Sequence, residues 1–269
     1  MRRAPRTLTL IAPEPEHRPA TGALELALAE ALEDAPTRAA RATAVLVAAL
    51  ERIGELPASV EVVRGLAVGT RERLLQLIAA ARRPAGDWRE AVCEACGARY
   101  DVEIDLAALP LKAPGPEFPV VEVETSLGRR AFEVPNGHHE EALAARRVAG
   151  SAAARMLLAL AGLDDDAAEA ARHFSDDDLR RIDEVLEDAS PEAAEMLDGT
   201  CPTCAARTRA RIDPLIGLSP RVDAVLAEIH ALAATYGWSE RAILALPESR
   251  RRRYLALVDR ERRQARRVA

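Results

Sequence analysis

Hydrophobic positions along the chain alternate between helical and strand periods. From Thr21 to about Arg82 they recur at helical spacing. Leu24, Leu26, Leu28 and Leu32 sit in an Ala/Glu/Leu-rich first helix, and Ala39 to Ile53 forms a second with Val45, Leu46, Ala49, Leu50 and Ile53 on one buried face. Pro57 and Ser59 restart the chain in a short segment through Leu66. Gly69-Thr70 offers the N-cap of a further helix carrying Leu74, Leu75, Leu77 and Ile78. Residues 7–20, which precede this lobe, contain prolines and no helical period, and read as an extended lead-in.

The period shifts at Pro84-Ala85-Gly86. Arg99 to Asp105 alternates polar and apolar residues, placing Tyr100, Val102 and Ile104 on one face of a strand. After a proline-rich loop, Val120–Glu124 and Ala131–Val134 flank a turn at Ser126–Arg129 and predict a hairpin, closed by Pro135-Asn136-Gly137. Helix returns from about His139 to Leu160 and from Asp176 to Asp188, the latter capped by Ser175 with Asp178 at the N3 position. A short helix is expected after Pro191, and a strand over Arg207–Ile212. The last 50 residues are helical: Val222, Val225, Leu226, Ile229, Leu232 and Tyr236 form an amphipathic stripe, Gly237 ends it, Ser239 caps a short successor, and Pro247-Glu248 opens an Arg-rich helix.

Charge narrows the function classes. The formal net charge of −6 gives no general attraction to nucleic acid or anionic membrane. Residues 164–195 hold 13 acidic residues against three arginines, and residues 248–269 hold nine arginines against three acids. The acidic stretch reads as a solvated surface, or as the counterpart of a basic partner or of the chain's own C-terminus. The Arg-rich tail reads as a solvated helix or protein contact rather than a nucleic-acid grip, because Asp259 and Glu261 interrupt it and aromatic support is limited to Tyr254. No apolar run approaches the roughly 18 residues of a membrane span. The basic N-terminus is followed by Thr7–Ile11, too short and polar for a signal sequence, so a cytoplasmic location is expected.

All four cysteines fall in two Cys-x-x-Cys pairs, Cys93/Cys96 and Cys201/Cys204. A two-residue gap lets a tight turn aim both thiolates at one point, and Gly97 permits the left-handed backbone such a knuckle needs. Redox chemistry would call for a thioredoxin-like βαβ unit, which is absent. Disulfides do not suit a cytosolic setting. Two knuckles instead supply a closed four-cysteine site for one structural zinc ion per chain. The 104 residues between Cys96 and Cys201 then require a helical insertion in a knuckle–strand–knuckle module. The strands at 99–105 and 207–212 flank the knuckles, and the hairpin at 120–134 is expected to complete their sheet.

The expected fold is therefore α+β and mostly helical. It comprises a lead-in and helical lobe over 1–84, a small antiparallel zinc-ribbon-like β module over 85–214 with a helical insertion at about 139–198, and C-terminal helices over 215–269. Phosphate loops, dinucleotide fingerprints and nucleophile elbows are missing from the sequence. His138-His139-Glu140-Glu141 reads as a polar turn opening a helix, with acids near its positive end, rather than as catalytic machinery. His230 reads as a core-edge histidine. No catalytic residue is assigned.

Several segments together resemble one family, the T-even-phage-like baseplate hub assembly chaperones of contractile phage tails and related injection systems. Leu66–Leu77 looks like the family's helix opening. Cys93–Tyr100, Asp105–Pro110, Phe132–Gly137 and Cys201–Cys204 follow in the family's order. Glu228–Ala233, Tyr236–Glu240, Ile243–Pro247 and Arg251–Leu255 complete the match. The resemblance implies a non-enzymatic protein that helps baseplate, hub or spike subunits assemble or stays as a minor component of the particle. Trp238, with Tyr236, Arg251 and Tyr254, forms the candidate partner-binding set; Trp238 either docks a partner or pins its own corner. A zinc-ribbon regulator that binds nucleic acid is the alternative, disfavoured by net charge and sparse aromatics.

Overall fold

A computed structural model describes residues 2–83, 87–218 and 221–268. The chain opens with β1 (Pro15–His17), α1 (Gly22–Asp34), α2 (Arg38–Ala49), β2 (Leu50–Ile53), β3 (Leu56–Pro57), α3 (Val60–Gly65) and α4 (Val68–Arg82). The second helix ends four residues before the expected Ile53. Leu50–Ile53 leave it to pair with β1 and β3, and Gly54, at φ +56°, turns the chain between β2 and β3. Leu50 and Ile53 are buried in either conformation, so their three-residue spacing did not discriminate. The expected cap at Gly69-Thr70 is also displaced. Helix α4 starts at Val68 without a side-chain cap, and the Val68 N–H donates to Pro135 O at 3.1 Å. Gly69 serves close packing instead, since a Cβ there would lie 1.9 Å from Pro191 O.

The boundary expected at Pro84–Gly86 lies outside the described residues. Beyond it come β4 (Asp87–Val92) and β5 (Arg99–Ile104), an antiparallel hairpin, then β6 (Leu111–Lys112). A second hairpin, β7 (Val120–Thr125) with β8 (Gly128–Glu133), is followed by α5 (Gly137–Arg146), α6 (Gly150–Ala161), α7 (Ala167–His173) and α8 (Asp176–Ala189). Val121, Val123, Phe132 and Val134 alternate inward and meet Leu158, Phe174, Ile182 and Leu186 in a core of their own. The single helix expected over 139–160 is broken, because Arg147 (φ 52°) and Gly150 (φ +59°) take left-handed conformations. Ser175 and Asp178 form the expected capping box on α8.

The segment after Pro191 is extended rather than helical: β9 (Glu192–Ala193) pairs with β6, and β10 (Met196–Thr200) pairs with β11 (Arg207–Arg211). The β7–β8 hairpin joins neither knuckle hairpin, so the expected single sheet is several separate small ones. Its apolar face is already covered by α6 and α8. The chain ends in α9 (Val222–Tyr236), α10 (Glu240–Leu244) and α11 (Glu248–Val268), packed through Val225, Ile229, Leu232, Ile243 and Val258. This buried stripe is narrower than expected, and Leu226 and His230 are exposed. Gly237 ends α9 at φ +68°, and Ser239 caps α10. The result is an α+β protein, about half helix with small antiparallel sheets. Among the described residues no helix is long and apolar enough to cross a membrane.

Candidate metal centre

Each cysteine pair occupies the bend of a hairpin. The last pairs of β4–β5 and β10–β11 are Val92↔Arg99 and Thr200↔Arg207, so the two bends correspond position for position. In the first, the Cys93 N–H donates to Ala98 O at 2.9 Å and the Gly97 N–H to Cys93 O at 2.8 Å. In the second, the Cys201 N–H donates to Ala206 O and the Ala205 N–H to Cys201 O, both at 2.9 Å. The left-handed position is Gly97 (φ 72°) in one bend and Ala205 (φ 58°) in the other. Gly97 was legible from the sequence as the residue that permits this turn. Ala205 was not, since alanine carries no preference for positive φ.

The hairpins face each other so that all four sulfurs lie within 4.8 Å of one another. The Cys93 and Cys204 Sγ atoms are 3.7 Å apart, and those of Cys96 and Cys201 are 3.8 Å apart. A tetrahedral tetrathiolate with metal–sulfur bonds of about 2.3 Å has S···S edges of about 3.8 Å. These residues could therefore hold one metal ion. Cys93 and Cys201 are buried, while Cys96 and Cys204 are exposed. Tyr100 Oη donates to Thr208 Oγ1 at 2.7 Å, tying the hairpins together beyond the bends. Ile104 at the end of β5, Leu106 just beyond it and Ile212 after the second hairpin anchor both in the core formed with α1, α2 and α4.

The bare thiols differ in acidity according to what surrounds each sulfur. Backbone N–H groups of Cys204 and Thr203 favour the Cys201 thiolate and bring its pKa down to about 6. At Cys96 a backbone hydrogen bond at Ala98 acts in the same direction. The neighbouring sulfurs of Cys204, Cys93 and Cys201, together with burial, outweigh it and push the thiol up to about 12. Four close thiols thus resist full ionisation until a cation balances them. As a ligand set it is closed. Four protein sulfurs complete a tetrahedron and leave no position at which a metal would activate water.

The other sequence candidates are committed elsewhere. His139 Nδ1 accepts the Asn136 N–H at 3.3 Å, and its Nε2 lies 3.3 Å from Glu133. Glu133 in turn accepts from the Arg6 N–H at 2.6 Å and the Thr7 N–H at 2.9 Å, clamping the N-terminal segment. Glu140 lies 3.3 Å from the buried Arg71 guanidinium, and Glu141 pairs with Arg64 at 2.6 Å. The polar turn is thus the lid of a buried network that joins α2, α3, α4 and α5. A network assembled from distant segments left no periodic signal in the sequence.

Of the four candidate partner-binding residues, three form one aromatic cluster. Trp238 stacks on Tyr236 at 4.9 Å and meets Tyr254 edge-on at 4.9 Å, all three half-buried. Arg251 is a correction. It is 0% exposed, bonded to Glu25 and 3.5 Å from Glu228, so it ties α11 to α1 and α9 and cannot face a partner. Gly22 makes room for it, since a Cβ there would come 2.4 Å from the guanidinium. The tryptophan that stands out into solvent is Trp88 on β4, 60% exposed, which the sequence reading passed over. Comparison of the chain with protein-family models, curated proteins and solved structures gives no significant match.

Proposed function

We propose that Cys93, Cys96, Cys201 and Cys204 bind one structural zinc ion, and that the protein is a non-enzymatic assembly chaperone or minor component of the baseplate or hub of a contractile tail-like particle. The observation that carries the zinc reading is the closed set of four sulfurs, with cross-bend spacings of 3.7 and 3.8 Å. Thiolates select zinc over the hard oxygen-seeking cations. The assembly reading rests on the family resemblance and is supported by where the resembling segments lie. Leu66–Leu77 and Phe132–Gly137 meet through a bridge between Ala67 and Asn136, above the buried Arg71. The C-terminal segments converge on Arg251 and the three aromatic rings. These segments build the scaffold, as expected of a protein whose surface rather than a cleft does its work. A nucleic-acid-binding ribbon would need a row of free cations on the hairpins, whereas on β11 Arg209 lies 2.9 Å from Asp198 and Arg211 lies 4.0 Å from Glu195, which leaves Arg207 as the one β11 arginine without an ion-pair partner among the described residues.

Two measurements test the reading separately. Elemental analysis of protein purified without chelator is expected to give one zinc per chain, and a metal-free protein with intact hairpins would sink the zinc assignment. Co-expression with hub and spike proteins encoded beside its gene is expected to yield a co-purifying complex. Capture of none of them, together with salt-sensitive retention of duplex DNA, would favour the regulator instead.

A further inference from the structure

Helix α11 outruns the body it packs on. Val258 is its last core residue, yet the helix continues through residues 259–268, about 15 Å further at 1.5 Å per residue. Every described side chain from 259 to 264 is exposed. A short helical extension that is polar all round gains nothing from packing, and isolated helices of this length are marginal in water. Its charges are ordered, however. Arg253, Arg260 and Arg263 follow the three- and four-residue spacing of a single helix face, with Ala256 between them. That face points away from Arg251, Tyr254 and Val258, and none of its three arginines has an ion-pair partner among the described residues. Asp259 and Glu261 lie off the row by roughly a quarter to a third of a turn.

Helix α8 carries the opposite sign. Ile182, Leu186 and Ala189 bury one face, and Glu184 and Glu187 lie on the reverse, flanked by Asp177, Asp183 and Asp188. Arg180 on this face is paired with Asp177 at 2.6 Å, while Asp183, Glu184, Glu187 and Asp188 have no ion-pair partner among the described residues. The acidic face from Asp177 to Asp188 spans about 17 Å and the basic row from Arg253 to Arg263 about 15 Å. Within one chain they do not meet: α8 packs on β7, α11 packs on α9, and no ion pair joins the two helices among the described residues.

We propose that the outer face of α11 docks on the outer face of α8 of a second copy, so that the protein associates head to tail. A second copy is the occupant the structure favours because it brings a row of matching length, spacing and opposite sign. The contact is heterologous, so each copy uses one face at each end, and assembly continues until a ring closes or the concentration limits it. The interface is chiefly electrostatic between exposed groups and is therefore screened by salt. This inference stands independently of the zinc and assembly readings.

The test is sedimentation velocity over a range of protein concentrations at about 20 mM and at about 500 mM salt, where the Debye length differs several-fold. At low salt the average mass is expected to climb with concentration beyond that of a dimer, and at high salt to return to the 29.0 kDa monomer. Glu184→Gln/Glu187→Gln neutralises the acidic face, and Arg260→Gln/Arg263→Gln neutralises the basic one. All four side chains are exposed, and circular dichroism checks that each variant folds as the parent does. Each variant alone is expected to stay monomeric at low salt. Mixed in equal amounts they should form a heterodimer and nothing larger, because one good face survives on each. A parent chain that remains monomeric at low salt overturns the proposal. So does either variant that still self-associates, or a mixture that fails to pair.

Discussion

Ala205 shows how a single residue can carry a strain that its sequence neighbours conceal. It holds φ 58° at the place where the matching bend uses Gly97 at φ 72°. For a residue with a Cβ the left-handed region costs about 1–2 kcal/mol, whereas glycine adds about 0.4–1 kcal/mol of unfolded-state entropy. Ala205→Gly is therefore expected to stabilise the metal-loaded protein by a net of about 0.5–1 kcal/mol. Gly97→Ala should destabilise it by a similar amount through the backbone alone, because a Cβ there would meet nothing within 4 Å. Thermal melts of the two variants check both signs. Melting temperatures that move the other way would show that the bends are not equivalent. The cysteines themselves were legible, since paired thiols two residues apart have few other uses in a chain without a redox fold. The alanine could be found only once strand register aligned the two bends.

At the scale of elements, the C-terminal corner separates a buried tie from a surface cluster. Arg251 bonds to Glu25 and lies against Glu228 with no exposure of its own. Arg251→Ala takes the guanidinium from the buried Glu25 and the half-buried Glu228 and is expected to cost about 3–5 kcal/mol. Trp238 is half-buried between two tyrosines, and Trp238→Ala should cost less while opening the face of that cluster. Chemical denaturation of both variants, paired with capture of hub proteins, tells the roles apart. If Trp238→Ala folds and loses capture, the cluster is the docking site; if it only loses stability, it pins the corner. The sequence marked this corner correctly through Gly237 and Ser239, because capping chemistry is local. It misplaced the end of α2 and the start of α4 for the converse reason. Leu50 and Ile53 suit a helix or a strand equally, and α4 draws its first N–H acceptor from Pro135, far along the chain.

At the scale of the molecule, the four-cysteine cluster joins two hairpins separated by the whole β7–α8 region. Structural zinc in small domains is worth roughly 10–16 kcal/mol of apparent binding energy, comparable to the ~5–15 kcal/mol stability of a domain. Chelation is therefore expected to raise hydrogen exchange together in β4–β5 and β10–β11. The core of Val121, Phe132, Leu158 and Ile182, which contains no cysteine, should remain protected. Exchange mass spectrometry with and without chelator reads this directly. Loss of protection in one hairpin alone, or in neither, would show that the four sulfurs do not share an ion.

By itself the sequence determined what local chemistry dictates: the N-terminal helices, the β7–β8 hairpin, the caps at Ser175 and Ser239, the stop at Gly237 and the two Cys-x-x-Cys bends. These follow from spacing within a few residues, where side chain and backbone meet without help from the rest of the fold. Tertiary structure alone decided that the knuckle hairpins pair face to face without the third. It also turned His139 and Glu133 into a clamp on the N-terminus, and it buried Arg251 while leaving Trp88 in solvent. Each of these depends on which surfaces meet across a hundred residues or more of chain, and burial and charge pairing between distant segments leave no periodic trace along it.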